Sequence, residues 1–175
     1  AALGRVLTVD ALMASDLKNA DEHVTVTING HGPAGTIVAQ GNGRGGVRGF
    51  IGNPRLNMTN PETHKLDVGR AVGREGTLTV TRDMGLKEPF TGMVNLYSGE
   101  IGEDFTYYFA LSEQTPSMVA VGVLVDTDCS VKVAGGYLIQ LLPGAPDETI
   151  DAVERGIKRA GAVTKMLEAG LTPED

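Results

Sequence analysis

The chain has 175 residues, of which 41% are apolar and 21% charged, with a formal net charge of −7. That balance suits one globular domain with a core large enough to need no covalent staples. The acidic excess argues against a nucleic-acid surface, which needs clustered Lys and Arg, and no apolar run approaches the length of a membrane span. Trp is absent and aromatics are scarce, so the core rests on Val, Leu, Ile, Met and Ala. Cys129 is the single cysteine, which rules out an intramolecular disulfide or a multi-thiolate metal centre within these residues. It reads as an inert small residue in the turn 126–130, where Asp126 and Asp128 disfavour a thiolate.

The first element is a helix. Leu3, Val6, Leu7, Ala11, Ala14 and Leu17 recur at helical spacing, while Val9, Leu12 and Met13 carry the apolar face almost all round. Such a helix is expected to lie buried between layers. It opens at Ala1 without a cap, and Thr172-Pro173-Glu174-Asp175 reads as a helix start with no helix after it, so both ends are expected to be cut.

Antiparallel sheet follows. Val24, Val26 and Ile28 alternate with Thr25 and Thr27, the pattern of a half-buried strand. A Gly/Pro-rich turn leads to a strand at 36–40, and a glycine loop leads on to 47–51. Asn53-Pro54 and Asn60-Pro61 punctuate an irregular stretch. Further strands are expected at 77–82, 91–97 and 105–111, the last with Phe105, Tyr107, Phe109 and Leu111 on one side. The continuous apolar run 118–125 suits a fully buried strand. Residues 131–142 suit another, with Gly135-Gly136 marking a bulge or a close backbone approach. Pro146 and Asp147 then open a helix with Ile150, Val153 and Ile157 on one face, supported by Asp151–Arg155 and Glu154–Lys158 at i,i+4. Gly161 ends it, and 162–169 forms a short second helix capped by Gly170. The expected class is α+β, mostly antiparallel sheet packed with a buried N-terminal helix and C-terminal helices.

No constellation of residues reads as a catalytic site. Gly41-Asn42-Gly43-Arg44-Gly45-Gly46 matches G-x-G-x-x-G, but dinucleotide binding needs a helix next, and Val47-Arg48-Gly49-Phe50-Ile51 reads as a strand. A hairpin loop is the better reading. His23, His31 and His64 show no metal-ligand spacing and fall in turn or loop surroundings. Ser112 and Ser117 lack a nucleophile elbow and a nearby histidine; Ser112 instead suits a tight turn or one-turn helix. Glu100, Glu103 and Asp104 fit a Gly-containing hairpin loop better than a catalytic carboxylate pair.

One long segment is distinctive. Gly99-Glu100-Ile101-Gly102-Glu103-Asp104-Phe105-Thr106-Tyr107-Tyr108-Phe109 runs on through Ser112-Glu113-Gln114-Thr115-Pro116-Ser117 into Val121-Gly122-Val123-Leu124-Val125. Gly32-Pro33-Ala34-Gly35, Val47-Arg48-Gly49-Phe50, Asp83-Met84-Gly85-Leu86 and Ala134-Gly135-Gly136 stand around it in order. These strings resemble the heat-shock protein 33 family of redox-regulated holdase chaperones across essentially the whole chain. The resemblance implies a chaperone core domain over residues 1–170 and the start of the family's linker over 171–175.

The same resemblance implies an ATP-independent cytoplasmic chaperone that holds unfolding client proteins during oxidative stress and forms homodimers. In the family a C-terminal zinc centre of four cysteines keeps the reduced protein inactive. Those cysteines are absent here, so this chain is expected to hold no zinc and to lack redox control. A folded, dimerising core with no client binding of its own is the alternative. Phe105, Tyr107, Phe109 and Met93 are the candidate client-binding residues. Flexible methionines such as Met58, Met84, Met93 and Met118 suit varied clients, although burial in the core, above all for Met118, is the expected fate of most.

Overall fold

The computed structural model describes residues 1–173. The N-terminal helix α1 (Ala2–Ala14) has no side-chain cap, as its sequence implies. Five strands follow the expected hairpin logic: β1 (His23–Asn29), β2 (Ile37–Asn42), β3 (Val47–Ile51), β4 (Thr77–Asp83) and β5 (Phe90–Asn95). They form one antiparallel sheet in the order β3-β2-β1-β4-β5. The glycine-rich segment ends β2 and makes the turn into β3, so no helix follows it.

Alternation in β1 explains the layering. Val24, Val26 and Ile28 are buried, whereas Thr25 and Thr27 pair with Thr81 and Thr79 of β4 on the opposite face. The threonine face is open, and the valine face receives α1. His23 is the first residue of β1 and not a loop residue, while His31 and His64 occupy turns with positive φ of 58° and 55°. A short helix α2 (Val68–Val72), capped by the Asp67 side chain, interrupts the stretch expected to be irregular.

Residues 105–111 are helical and not a strand. They belong to α3 (Ile101–Leu111), which buries Ile101, Asp104, Phe105, Tyr108 and Phe109. The aromatics at 105, 107 and 109 alternate, yet 101, 105, 108 and 109 also satisfy the helical period. Eleven consecutive residues starting with acids that favour a helix N-terminus settle the conflict. Glu103 and Asp104 therefore sit in the first turn of α3 and not in a hairpin loop, and Ser112 follows as its C-terminal cap residue.

A second sheet is a hairpin of β6 (Ser117–Val125) and β7 (Val131–Gln140), joined by the turn holding Cys129. The bulge lies at Leu124/Val125 and not at the glycine pair. Gly135 and Gly136 instead permit close approach: a Cβ at 135 would meet Leu167 at 3.0 Å, and one at 136 would meet the carbonyl oxygen of Ala120 at 2.5 Å. The expectation of a fully buried strand at 118–125 is only half met. Val119, Gly122 and Val123 are buried, while Met118 is exposed, because among the described residues the hairpin has no third strand to cover its flank. Two helices close the chain, α4 (Asp147–Ala160) and α5 (Val163–Glu168). The expected Glu154–Lys158 pair forms at 3.9 Å. Of the helix start expected at 172–175, residues 174 and 175 lie outside the described residues.

The core joins these parts through α1, which packs against the valine face of the large sheet and against the hairpin. Val6, Val9 and Met13 are almost wholly buried among Val24, Val26, Ile37 and Phe105. The α+β class is as expected, and the helix with little polar surface does lie between two layers. Phe105→Ala should lower stability by about 3–5 kcal/mol by leaving a core cavity. Tyr107→Ala, on the outer side of the same helix, should cost under about 1 kcal/mol. Urea denaturation of the two variants checks the helical assignment, because a strand with residues 105 and 107 on one face would make the two losses similar.

Candidate functional site

A cleft of about 840 Å³ is lined mainly by apolar residues at the margin of the core, with Thr8, Asn53, Arg55, Asn57 and Asp67 among them. Leu3 and Leu7 of α1 form its floor. Val47 and Ile51 of β3 make one wall, and Val125 and Val131 of the hairpin make another. The loop between β3 and α2 supplies Leu56, Met58 and Leu66. Val47, Leu66 and Val131 remain 41%, 39% and 54% exposed, so the apolar lining is open to a partner.

The loop is folded by local hydrogen bonds that leave its apolar side chains turned to the cleft. Asn60 accepts the backbone N–H of Glu62 and of Thr63 through its side chain, an Asx turn. The N–H of Asp67 donates to the carbonyl of Met58 at 3.0 Å, and Thr59 bridges to Leu66. Asn53 anchors the start by donating its N–H to the carbonyl of Ala34.

A carboxylate network fixes the neighbouring helices. Glu100 accepts from the Arg5 guanidinium of α1 and from the N–H of Gly69 in α2 at 3.0 Å, while standing at the start of α3. Asp104 is buried, and its Oδ1 accepts the N–H groups of Tyr97 at 2.8 Å, Ser98 at 3.0 Å and Gly99 at 3.4 Å. Burial raises the Asp104 carboxyl above the ordinary aspartate range, and the three backbone donors pull the other way. Its role is to hold the turn 97–99 against α3. On the surface this turn presents Tyr97, whose ring lies 5.7 Å from that of Tyr107, with Leu111 exposed one turn further along α3.

The four candidate client-binding residues do not come together. Phe105 and Phe109 are core residues, inaccessible while α3 stays packed. Tyr107 is half-exposed beside Tyr97, and Met93 is 65% exposed on β5, opposite Thr79 of β4. Met84 and Met118 are exposed too, contrary to the expectation that most methionines are core. The cleft residues Val47, Leu66 and Val131 went unrecognised in the sequence. The one available signal was the presence of Leu56, Met58 and Leu66 in a stretch without strand periodicity.

The cleft lining contains no histidine or serine, and its lone thiol is Cys129. Among the described residues no group of three or more His, Cys, Asp or Glu is placed to hold a metal ion. A four-thiolate zinc centre needs four cysteines, so the residues present do not fit one. No helix among the described residues is long and apolar enough to cross a membrane. What fold and cleft define is an α+β module with an open, largely apolar cleft.

The comparisons with known proteins give that module its family. The Hsp33 protein family model matches residues 1–175, and the chain belongs to that family. It is 51% identical to the 33 kDa chaperonin of Staphylococcus carnosus and 54% identical to that of Shouchella clausii. In each case all of this chain aligns with 59% of the relative. The crystal structure of the 33 kDa chaperonin (heat shock protein 33 homolog) of Thermotoga maritima matches with a TM-score of 0.90 and 42% identity, over 98% of this chain and 58% of that one. The chain thus spans about three fifths of the length of the relatives it matches.

Removing the carboxyl of Asp104 leaves backbone donors without an acceptor. Asp104→Ala should therefore cost about 1–3 kcal/mol. Faster hydrogen exchange at the amides of Tyr97 and Ser98 should accompany that loss, and unchanged exchange there would contradict the assigned role.

Proposed function

We propose that this chain is an ATP-independent holdase domain that captures unfolding proteins on the cleft walled by β3, the 52–67 loop and the β6–β7 hairpin. The observation that carries the reading is the accessible, largely apolar lining of the cleft. An extended client segment exposes alternating apolar side chains, and a wide cleft of Leu, Val and Met accepts them without demanding one sequence. The Tyr97–Tyr107 pair and Met93 offer secondary contacts away from the cleft. A net charge of −7 helps keep the loaded complex in solution. The naming of its relatives as 33 kDa chaperonins supports the same reading.

Client binding by these 175 residues is independent of oxidation in this proposal, because Cys129 alone cannot form an intramolecular disulfide or a thiolate zinc centre. A cytoplasmic setting and a homodimer complete the proposal by analogy with the family.

Light scattering from a thermally unfolding client tests it. The chain should suppress aggregation equally with and without reductant, and without ATP. The double variant Leu66→Asp and Val131→Asp, at exposed positions, should need about tenfold more protein for the same effect, since charge opposes apolar contact. A requirement for peroxide, or full activity in the double variant, would refute the reading.

A further inference from the structure

Asp10 is out of place in the core. It sits in the middle of α1 with no exposed surface, and neither side-chain oxygen has a hydrogen-bond partner. The sheet leaves room for it through Gly41 of β2. A Cβ at that position would stand 2.9 Å from Oδ2 of Asp10 and 2.7 Å from Cβ of Ala14. The carboxyl is thus shut into a close contact of the α1–β2 interface.

Among the described residues no counter-charge relieves it. On α1 itself, Arg5 is committed to Glu100, and Asp16, just beyond the end of the helix, is exposed. β2 and β6 contain no charged residue. His23 of β1 alternates with the buried Val24 and so belongs to the outer face of the sheet. Arg48 of β3 donates to Gln40, and Lys132 of β7 pairs with Asp126. Arg70 of α2 and Glu103 of α3 are exposed, and Asp104 is engaged by the 97–99 backbone. An unpaired carboxylate in such a site is strongly disfavoured, and the neutral acid is the form that fits. Burial alone accordingly pushes the Asp10 carboxyl up to about 7.

We propose that Asp10 is a proton-controlled latch between α1 and β2, closed when the acid is neutral and released when its proton passes to water. The carboxylate favours a state in which α1 lifts from Gly41 and the charge becomes hydrated. Because α1 also supports the hairpin and floors the cleft, release uncovers Val6, Val9 and Met13. The latch therefore enlarges the apolar surface as pH rises from acid towards neutrality, and no further above it. This inference does not depend on the chain being a chaperone.

The sign follows from proton counting. Between the ordinary aspartate value and about 7, the folded state holds a proton that the unfolded state has lost. Stability conferred by this group is full in acid, falls as pH rises, and levels off above the folded value. Urea denaturation of the 175-residue chain and of Asp10→Asn, from about pH 5.5 to about pH 8.5, reads it. The wild-type unfolding constant should rise by up to about tenfold per pH unit below neutrality, a slope that the variant lacks. Exchange at the α1 and Gly41 amides, corrected for intrinsic rates, should follow the same curve. Parallel slopes in the two proteins would overturn the latch. If Asp10→Asn does not fold, ¹³C-carboxyl titration of the wild-type chain, with the resonance linked to the Asp10 backbone, decides it. A midpoint near neutrality supports the latch, and one in the ordinary aspartate range refutes it.

Discussion

Everything in this fold hangs on one helix having two apolar sides. Val6, Val9 and Met13 are almost wholly buried, and α1 packs against both the five-stranded sheet and the β6–β7 hairpin. A two-stranded sheet has too little apolar face to persist alone in water. Here it gains one through α1 and α3 on one side and α5 on the other. Close contacts make this possible: a Cβ at Gly4 would meet Val123 at 3.1 Å, and one at Gly122 would meet the N atom of Thr164 at 3.0 Å. Glu100 then ties α1 to α2 and to the start of α3 by charge-assisted and backbone hydrogen bonds.

The cleft is a by-product of the same arrangement. The helix is long enough to reach both sheets, and where it emerges between β3 and the hairpin turn neither sheet covers it. A loop fills part of the gap with Leu56, Met58 and Leu66 but does not seal it. The apolar surface is therefore held by rigid elements on its floor and walls, and by a hydrogen-bonded loop along its rim. A surface of that kind is preformed and tolerant, which suits recognition of many sequences better than discrimination among a few.

The layering was legible where alternation was clean, as in β1, and where apolar residues crowded a helix, as in α1. It misled at 105–111 because two periods coincide there. Phe105 and Phe109 satisfy both, and Tyr108, which only the helix buries, was the residue that separated them. The cleft was not legible at all. Its residues come from several separate segments with no common spacing, and the loop that contributes Leu66 has no periodicity to read. Resemblance of unusual strings supplied the family, which neither composition nor any short motif contained. Asp10 escaped notice because its neighbours made a continuous apolar stretch and the hole opposite it belongs to a glycine thirty-one positions away in sequence.

Helix α4 stands apart from this economy. None of its residues is buried, and its stripe of Ile150, Val153 and Ile157 is only half covered. Its N-terminal acids and C-terminal bases match the helix dipole, so it is built to hold its own shape. Local shape of that kind contributes little to the cooperative unfolding of the remainder. The domain therefore contains two grades of packing, a unit knitted together by α1 and a helix whose order rests on its own backbone and end charges more than on the core.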